Sequence, residues 1–156
     1  MLRQMEYDAD HYEIHLSGSD TFEQTTQRIH VLSGSLEKSY KEMRSIWNIN
    51  KNLPDDLSSF LLWQLSRVPE AQIQKLQNTI GLEPTRPFGT HPSNGDRIRN
   101  ARQMACPGVF ELELPASILF GHFEALSKQV TRLHYEDDLG MPMELTKLRP
   151  VASFSG

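Results

Sequence analysis

Two carboxylates, Glu6 and Asp10, lie one helical turn apart in the opening stretch Arg3-Gln4-Met5-Glu6-Tyr7-Asp8-Ala9-Asp10. At i,i+4 they share one helix face, where like charges repel unless a cation lies beside them. A plain surface helix more often puts Lys or Arg at that spacing, so one reading is a solvated acidic turn. The chemical reading makes Glu6 a metal ligand and Asp10 the acid behind it, holding another ligand, typically a His, in orientation. A second stretch with chemical content comes far along the chain, Gly89-Thr90-His91-Pro92-Ser93-Asn94-Gly95-Asp96-Arg97-Ile98. Pro92 confines His91 to extended backbone, which restricts where the imidazole points. Pro84, Pro87, Gly89, Pro92 and Gly95 crowd this region, so no regular element fits between Glu83 and Asn94. A stiffened loop in an otherwise helical chain is where a placed side chain is expected, and His91 is that side chain. Its plain alternative is a loop His bonded to backbone.

Other groups carry less. His11 and His15 are also at i,i+4, in His11-Tyr12-Glu13-Ile14-His15. The glutamate falls two places after the first His, off the seam that joins the pair, so polar helix surface is favoured over a metal site. Cys106 has no His near it in sequence and reads as a small hydrophobe, although folding could bring it a partner. Arg97 follows Asp96 directly and could form a weak surface pair with it.

Taken in order, R-x-x-E-Y-x-A-D and T-H-P-S-x-x-D-R-I resemble two motifs of the zinc metallopeptidases of the HtpX and CAAX prenyl protease family. The resemblance covers roughly residues 1–105. In that family one helix carries H-E-x-x-H, which gives two His ligands and a general-base Glu. A later helix carries E-x-x-x-D with the third ligand, and a T-H-P segment brings a His near the scissile carbonyl. The resemblance implies that Glu6 is the third zinc ligand and Asp10 its orienting neighbour. It implies that His91 stabilises the oxyanion, and that Arg97 anchors the His91 loop or lies beside the metal. The chain contains no H-E-x-x-H. The implied function is therefore the C-terminal portion of a zinc-dependent metalloendopeptidase acting on protein or peptide substrates. The isolated chain, with one carboxylate ligand, is expected to be inactive and to hold Zn2+ weakly, since such sites use three or four protein ligands. Family members are often anchored in membranes by helices elsewhere in the chain, so the parent is expected to share that property. The competing expectations are a non-catalytic helical interaction module and a degenerate relative that lost the catalytic helix.

Bulk properties bound these readings. At 156 residues the chain is long enough for one domain, or is a piece of a larger one. A content of 38% hydrophobic and 23% charged residues is that of an ordinary globular chain. The net charge of −4 argues against nucleic acid as a partner, which calls for a clustered basic face. A single cysteine excludes an internal disulfide. There is no apolar run of membrane-spanning length and no basic-then-apolar signal pattern at the N-terminus.

The elements that must position these groups read as all-α, five or six helices joined by the proline-rich loop, in a helical body over 1–139 with a loose tail over 140–156. The resemblance implies a fragment of a helical zinc-metallopeptidase fold. The first helix runs through His15 and ends at Gly18. Asp20 or Thr21 caps a long second helix, with Glu23 as capping-box partner and Ile29, Leu32, Leu36, Tyr40, Met43 and Trp47 as its core stripe. Gly34 marks a possible bend, and Asn48–Pro54 is a polar connector ending in a turn. Asp55 or Asp56 caps a third helix, apolar enough to be buried on more than one side. Pro69 begins a fourth, with Ile73, Leu76 and Ile80 inward and Gly81 and Pro84 closing it. Ser93 caps a fifth through Met104, with Asp96 completing a capping box. Val109–Leu114 alternates as a short extended segment. Pro115 begins a last helix whose Leu119, Phe123, Leu126, Val130 and Leu133 form a core face, with His122 and His134 in core or surface roles.

Overall fold

The computed structural model describes residues 2–80, 85, 90–110, 112 and 114–154. Among these residues there are six α-helices and two three-residue strands, so the all-α expectation holds. The chain divides into two compact units, Met1–Gly34 with Pro69–Glu113, and Ser35–Val68 with Leu114–Gly156. The division falls inside the second helix, between Gly34 and Ser35, and glycine is a poor helix former. The expected closing residues Gly81 and Pro84, and Pro87 and Gly89 of the loop, lie outside the described residues.

The first unit is built on α1 (Leu2–Ser17), the front of α2 (Ser19–Asn50), α4 (Glu70–Ile80) and α5 (Asn94–Met104). Gly18 ends α1 as the pattern predicts: its φ is +91°, and its N–H closes the last turn on the Ile14 carbonyl at 2.8 Å. A Cβ at Gly18 would stand 2.8 Å from the Pro107 carbonyl oxygen, so two backbones meet where only glycine fits. Ser19 and Cys106 complete that junction through two hydrogen bonds, Ser19 N–H to the Cys106 carbonyl and Cys106 N–H to Ser19 Oγ, both 2.9 Å. α2 starts at Ser19, not at Asp20 or Thr21, because Gly18 hands the chain straight from one helix to the next. Glu23 is not a capping-box acid; both its oxygens take Arg102 of α5, at 2.6 and 2.7 Å. The core consists of Ile14, Phe22 and Ala101, with Met104 and Cys106 packed against them. Ile29, placed in the core by periodicity, is exposed, and Val31 is buried in its stead. α5 begins as expected: Ser93 Oγ accepts the Asp96 N–H at 3.1 Å. Among its described residues, Val109–Leu114 has no strand.

The second unit packs the rest of α2 with β1 (Asn52–Pro54), α3 (Leu57–Ser66), α6 (Phe123–Leu133) and β2 (Lys147–Arg149). Met43, Leu53, Phe60 and Tyr135 are fully buried, ringed by Tyr40, Trp47, Trp63, Leu148 and Phe154 among others. The polar connector before α3 thus contains a buried strand. Its partner comes from the segment expected to be a loose tail, since β2 pairs parallel with β1 in the register Leu53 to Leu148. Trp47 Nε1 donates to Thr146 Oγ1 at 2.9 Å, and Phe154 stands edge-on to Phe60, so non-local contacts order a segment without periodicity.

Asp56 is the cap of α3. Its carboxylate accepts the Ser59 N–H at 3.1 Å, Ser59 Oγ at 2.8 Å and Ser127 Oγ of α6 at 2.7 Å. Burial works to raise its pKa, but the hydrogen bonds from Ser127, Ser59 and Ser58 together outweigh it and hold the carboxyl below its usual range. A depressed folded-state pKa means the stabilisation is present above the unfolded value and is lost as pH falls through the folded one. Asp56→Ala is expected to cost about 1–2 kcal/mol at pH 7, as loss of an N-cap does, and to flatten stability against pH below about 4. Urea unfolding at pH 7 and pH 3 checks this; equal losses at both would contradict it.

The last helix departs from its pattern. Pro115 leads into a short 3-10 turn, Ala116–Leu119, and α6 begins only at Phe123 after Gly121 and a left-handed His122. α6 buries Ser127 and Thr131, while Phe123, Leu126, Val130 and Leu133 remain 40–56% exposed. Asp56 and the Leu57 N–H recruit those two hydroxyls, at 2.7 and 2.9 Å, and that turns the polar side of α6 inward.

Candidate functional site

The first unit brings the two chemistry-bearing stretches together. Glu6 and Asp10 project from α1 on one face, and Arg97 projects from the first turns of α5. Arg97 grips Asp10 at two points, Nε to Oδ2 at 2.8 Å and Nη2 to Oδ1 at 2.5 Å. This is the forked geometry in which guanidinium matches carboxylate. The Asp10 side chain is only 3% exposed. The Asp10 hydrogen bonds raise the Arg97 pKa against the opposing effect of burial, and the charges of Asp10, Glu6 and Glu13 add to the rise. The guanidinium also lies over the Phe22 ring, 5.6 Å from its centre.

One turn before Asp10, Glu6 Oε1 accepts from His91 Nδ1. Both are more accessible, with 32% of the Glu6 and 69% of the His91 side chain exposed. His91 stands just ahead of the Ser93 cap, and Thr85 secures that cap by accepting the Ser93 N–H at 2.8 Å and donating to Asp96. Asp96 carries the Thr85 hydroxyl and Arg99 together, and the Thr85 hydrogen bond leads in holding its carboxyl below the usual range. Arg97 therefore does not pair with its sequence neighbour; Asp96 is taken by Thr85 and Arg99.

All four residues singled out in the sequence meet in one region, in two pairs: Glu6 with His91, and Asp10 with Arg97. The pairing gives Asp10 a task that its spacing alone did not suggest. Both its oxygens accept from Arg97, so it fastens α1 to α5. If His91 is neutral with its proton on Nδ1 toward Glu6, its Nε2 is an acceptor. For Nε2 to donate while Nδ1 donates to Glu6, the ring must carry a proton on both nitrogens.

A zinc ion needs three or four convergent protein ligands. Among the described residues no three His, Cys, Asp or Glu side chains converge in that way. Glu6 offers one carboxylate, Asp10 is spent, and His91 points its Nδ1 at Glu6, so these residues do not form a complete zinc site by themselves. His11 and His15 stay on the exposed surface of α1, as expected, with Nε2 atoms 2.9 Å apart. Folding does bring a partner to Cys106, whose Sγ lies 3.4 Å from His15 Nδ1.

One polar relay escaped the sequence reading. In the second unit His134 Nδ1 meets Asp138 Oδ2 at 2.6 Å, and His134 Nε2 meets Tyr40 Oη at 2.8 Å. The i,i+4 spacing of His134 and Asp138 was a visible signal; Tyr40, distant in sequence, gave none. No helix among the described residues is long and apolar enough to cross a membrane. The chain matches no family model, no curated protein and no solved structure.

Proposed function

We propose that the chain is the C-terminal portion of a zinc-dependent metalloendopeptidase that acts on protein or peptide substrates. What supports this is one observation: two motifs from opposite ends of the first unit's sequence meet through Glu6–His91 and Asp10–Arg97. In this reading Glu6 is the carboxylate ligand and Zn2+ supplies the Lewis acidity. The remaining ligands and the general base come from an H-E-x-x-H helix that is not among these residues. This chain's own residues hold Glu6 in place. The Asp10–Arg97 pair locks the α1 face, and Pro92 with the Ser93 cap sets the His91 stem beside it. A carboxylate has two oxygens, so Glu6 keeping one on His91 leaves the ligand role open to the other.

His91 then has two distinguishable tasks, as a donor to the substrate carbonyl or as an outer partner of the ligand Glu6. The resemblance points to the first. For His91→Ala in a polypeptide that includes the H-E-x-x-H helix, we expect zinc retained at wild-type stoichiometry and turnover slowed about 100-fold, the loss typical of one oxyanion donor. Metal analysis alongside peptide-cleavage kinetics checks this. Unchanged turnover removes His91 from the mechanism, and lost zinc makes it a positioning residue for Glu6. The second reading, a non-catalytic interaction module, draws support from the exposed apolar face of α6.

A further inference from the structure

The second unit holds a cavity that the protease reading does not use. Its volume is about 510 Å³, within the range of small-molecule sites. Leu57, Phe120, Phe123, Leu126, Val130 and Leu133 form its apolar walls. Four of these are the α6 residues left outward when Ser127 and Thr131 turn inward. An apolar wall this continuous on a helix that buries its hydroxyls is the unusual feature, because scattered single exposures need no explanation.

The polar groups of the cavity are biased one way. Asp138 Oδ2 accepts from His134 Nδ1; in the neutral tautomer that carries its proton there, Nε2 is an acceptor and Tyr40 donates its only hydroxyl proton to it. The phenol oxygen is left as an acceptor. Burial and the Asp138 charge both raise the Tyr40 pKa, so that proton stays in place. Ser127 spends its proton on Asp56. Asp137 and Asp138 add carboxylates, and among the described residues no Lys or Arg lines the cavity. Lys128 of the same helix is engaged by Asp55 and Glu124, at 3.2 and 2.8 Å.

Apolar walls ending in acceptors and carboxylates complement a ligand with an apolar body and a cationic, proton-donating head. We propose that this cavity binds a small amphipathic amine, an alkyl- or arylalkylammonium. Its hydrocarbon lies along Phe123, Leu126 and Val130, and its ammonium group sits at Tyr40 Oη, Asp137 and Asp138. The inference stands independently of the protease reading.

The test uses the whole chain with octylamine, and with octanol and octanoate as probes of equal length. Calorimetry at pH 7 and methyl NMR shifts at Leu126, Val130 and Leu133 report binding. Octylamine is expected to bind at least tenfold more tightly than octanol, and octanoate more weakly than either. Asp137→Asn with Asp138→Asn is expected to weaken octylamine about tenfold and leave octanol unchanged. Val130→Lys, at an exposed position that a charged residue tolerates, is expected to abolish octylamine binding. Octanoate binding as tightly as octylamine would overturn the proposal, as would an unaffected double variant or no shift up to 10 mM octylamine. A concentration-dependent dimer with these methyls shielded would also overturn it, by assigning the face to a second copy of the chain.

Discussion

Arg97→Ala is expected to cost about 3 kcal/mol of stability, more than a hundredfold in the folded-to-unfolded ratio. The loss follows from what remains. Asp10, 3% exposed in its side chain, would keep two oxygens that had been met by the guanidinium fork and would have neither a donor nor water to replace it. The figure sits at the low end for a broken buried pair because Arg97 itself is 28% exposed. Loss of the guanidinium contact with Phe22 adds a smaller part. Replacing both partners, as Asp10→Leu with Arg97→Met, is expected to recover most of the loss, since no charge is then stranded. Arg97→Lys should fall between, because an ammonium cannot reproduce the two-point grip. Urea unfolding followed by far-ultraviolet circular dichroism gives all three values. A loss below about 0.5 kcal/mol for Arg97→Ala would mean that the pair does not fasten α1 to α5.

Glu6→Ala is expected to show the opposite balance. In this chain its partner is a His with 69% of its side chain exposed, and such surface pairs contribute about 0–1 kcal/mol, so folding should be almost unchanged. On the proposed reading, in a polypeptide that includes the H-E-x-x-H helix, the same change would remove one of three protein ligands. Loss of an outer partner of a metal ligand already costs about 10–100-fold in affinity, so loss of the ligand should exceed 100-fold and take proteolysis with it. A residue that matters little to stability and decisively to metal binding is what separates a site from a strut. Asp10 and Arg97, fastened to each other, are expected to behave as a strut.

Short-range signals in the sequence were the legible ones. The Ser93 cap, a cap at Asp55 or Asp56, the Gly18 terminator and the helix classes follow from a few neighbouring residues, and the structure bears them out, with Asp56 as the cap. The choice of Asp10 over Asp96 as partner for Arg97 was not legible locally. It depends on Thr85 and Arg99 claiming Asp96, and on α1 lying within reach. The β1–β2 pair was hidden for a similar reason: each strand is three residues long, too short for alternation to show, and the two lie far apart in sequence. α6 misled most. Its apolar period is clean, yet the buried side was decided by two hydroxyls satisfying Asp56 and the Leu57 N–H. A periodicity argument assumes the apolar face goes inward, and it has no term for polar partners waiting on the core side.

The most direct measurement of the central claim is the zinc content of the polypeptide purified from its source, compared with its Glu6→Ala variant. Tandem mass spectrometry of the sequence ahead of Arg3 accompanies it. An H-E-x-x-H segment is expected there, with one zinc per chain, and loss of both zinc and peptide cleavage is expected in the variant. Full zinc and full cleavage in Glu6→Ala, or a native polypeptide with no such segment, would contradict it.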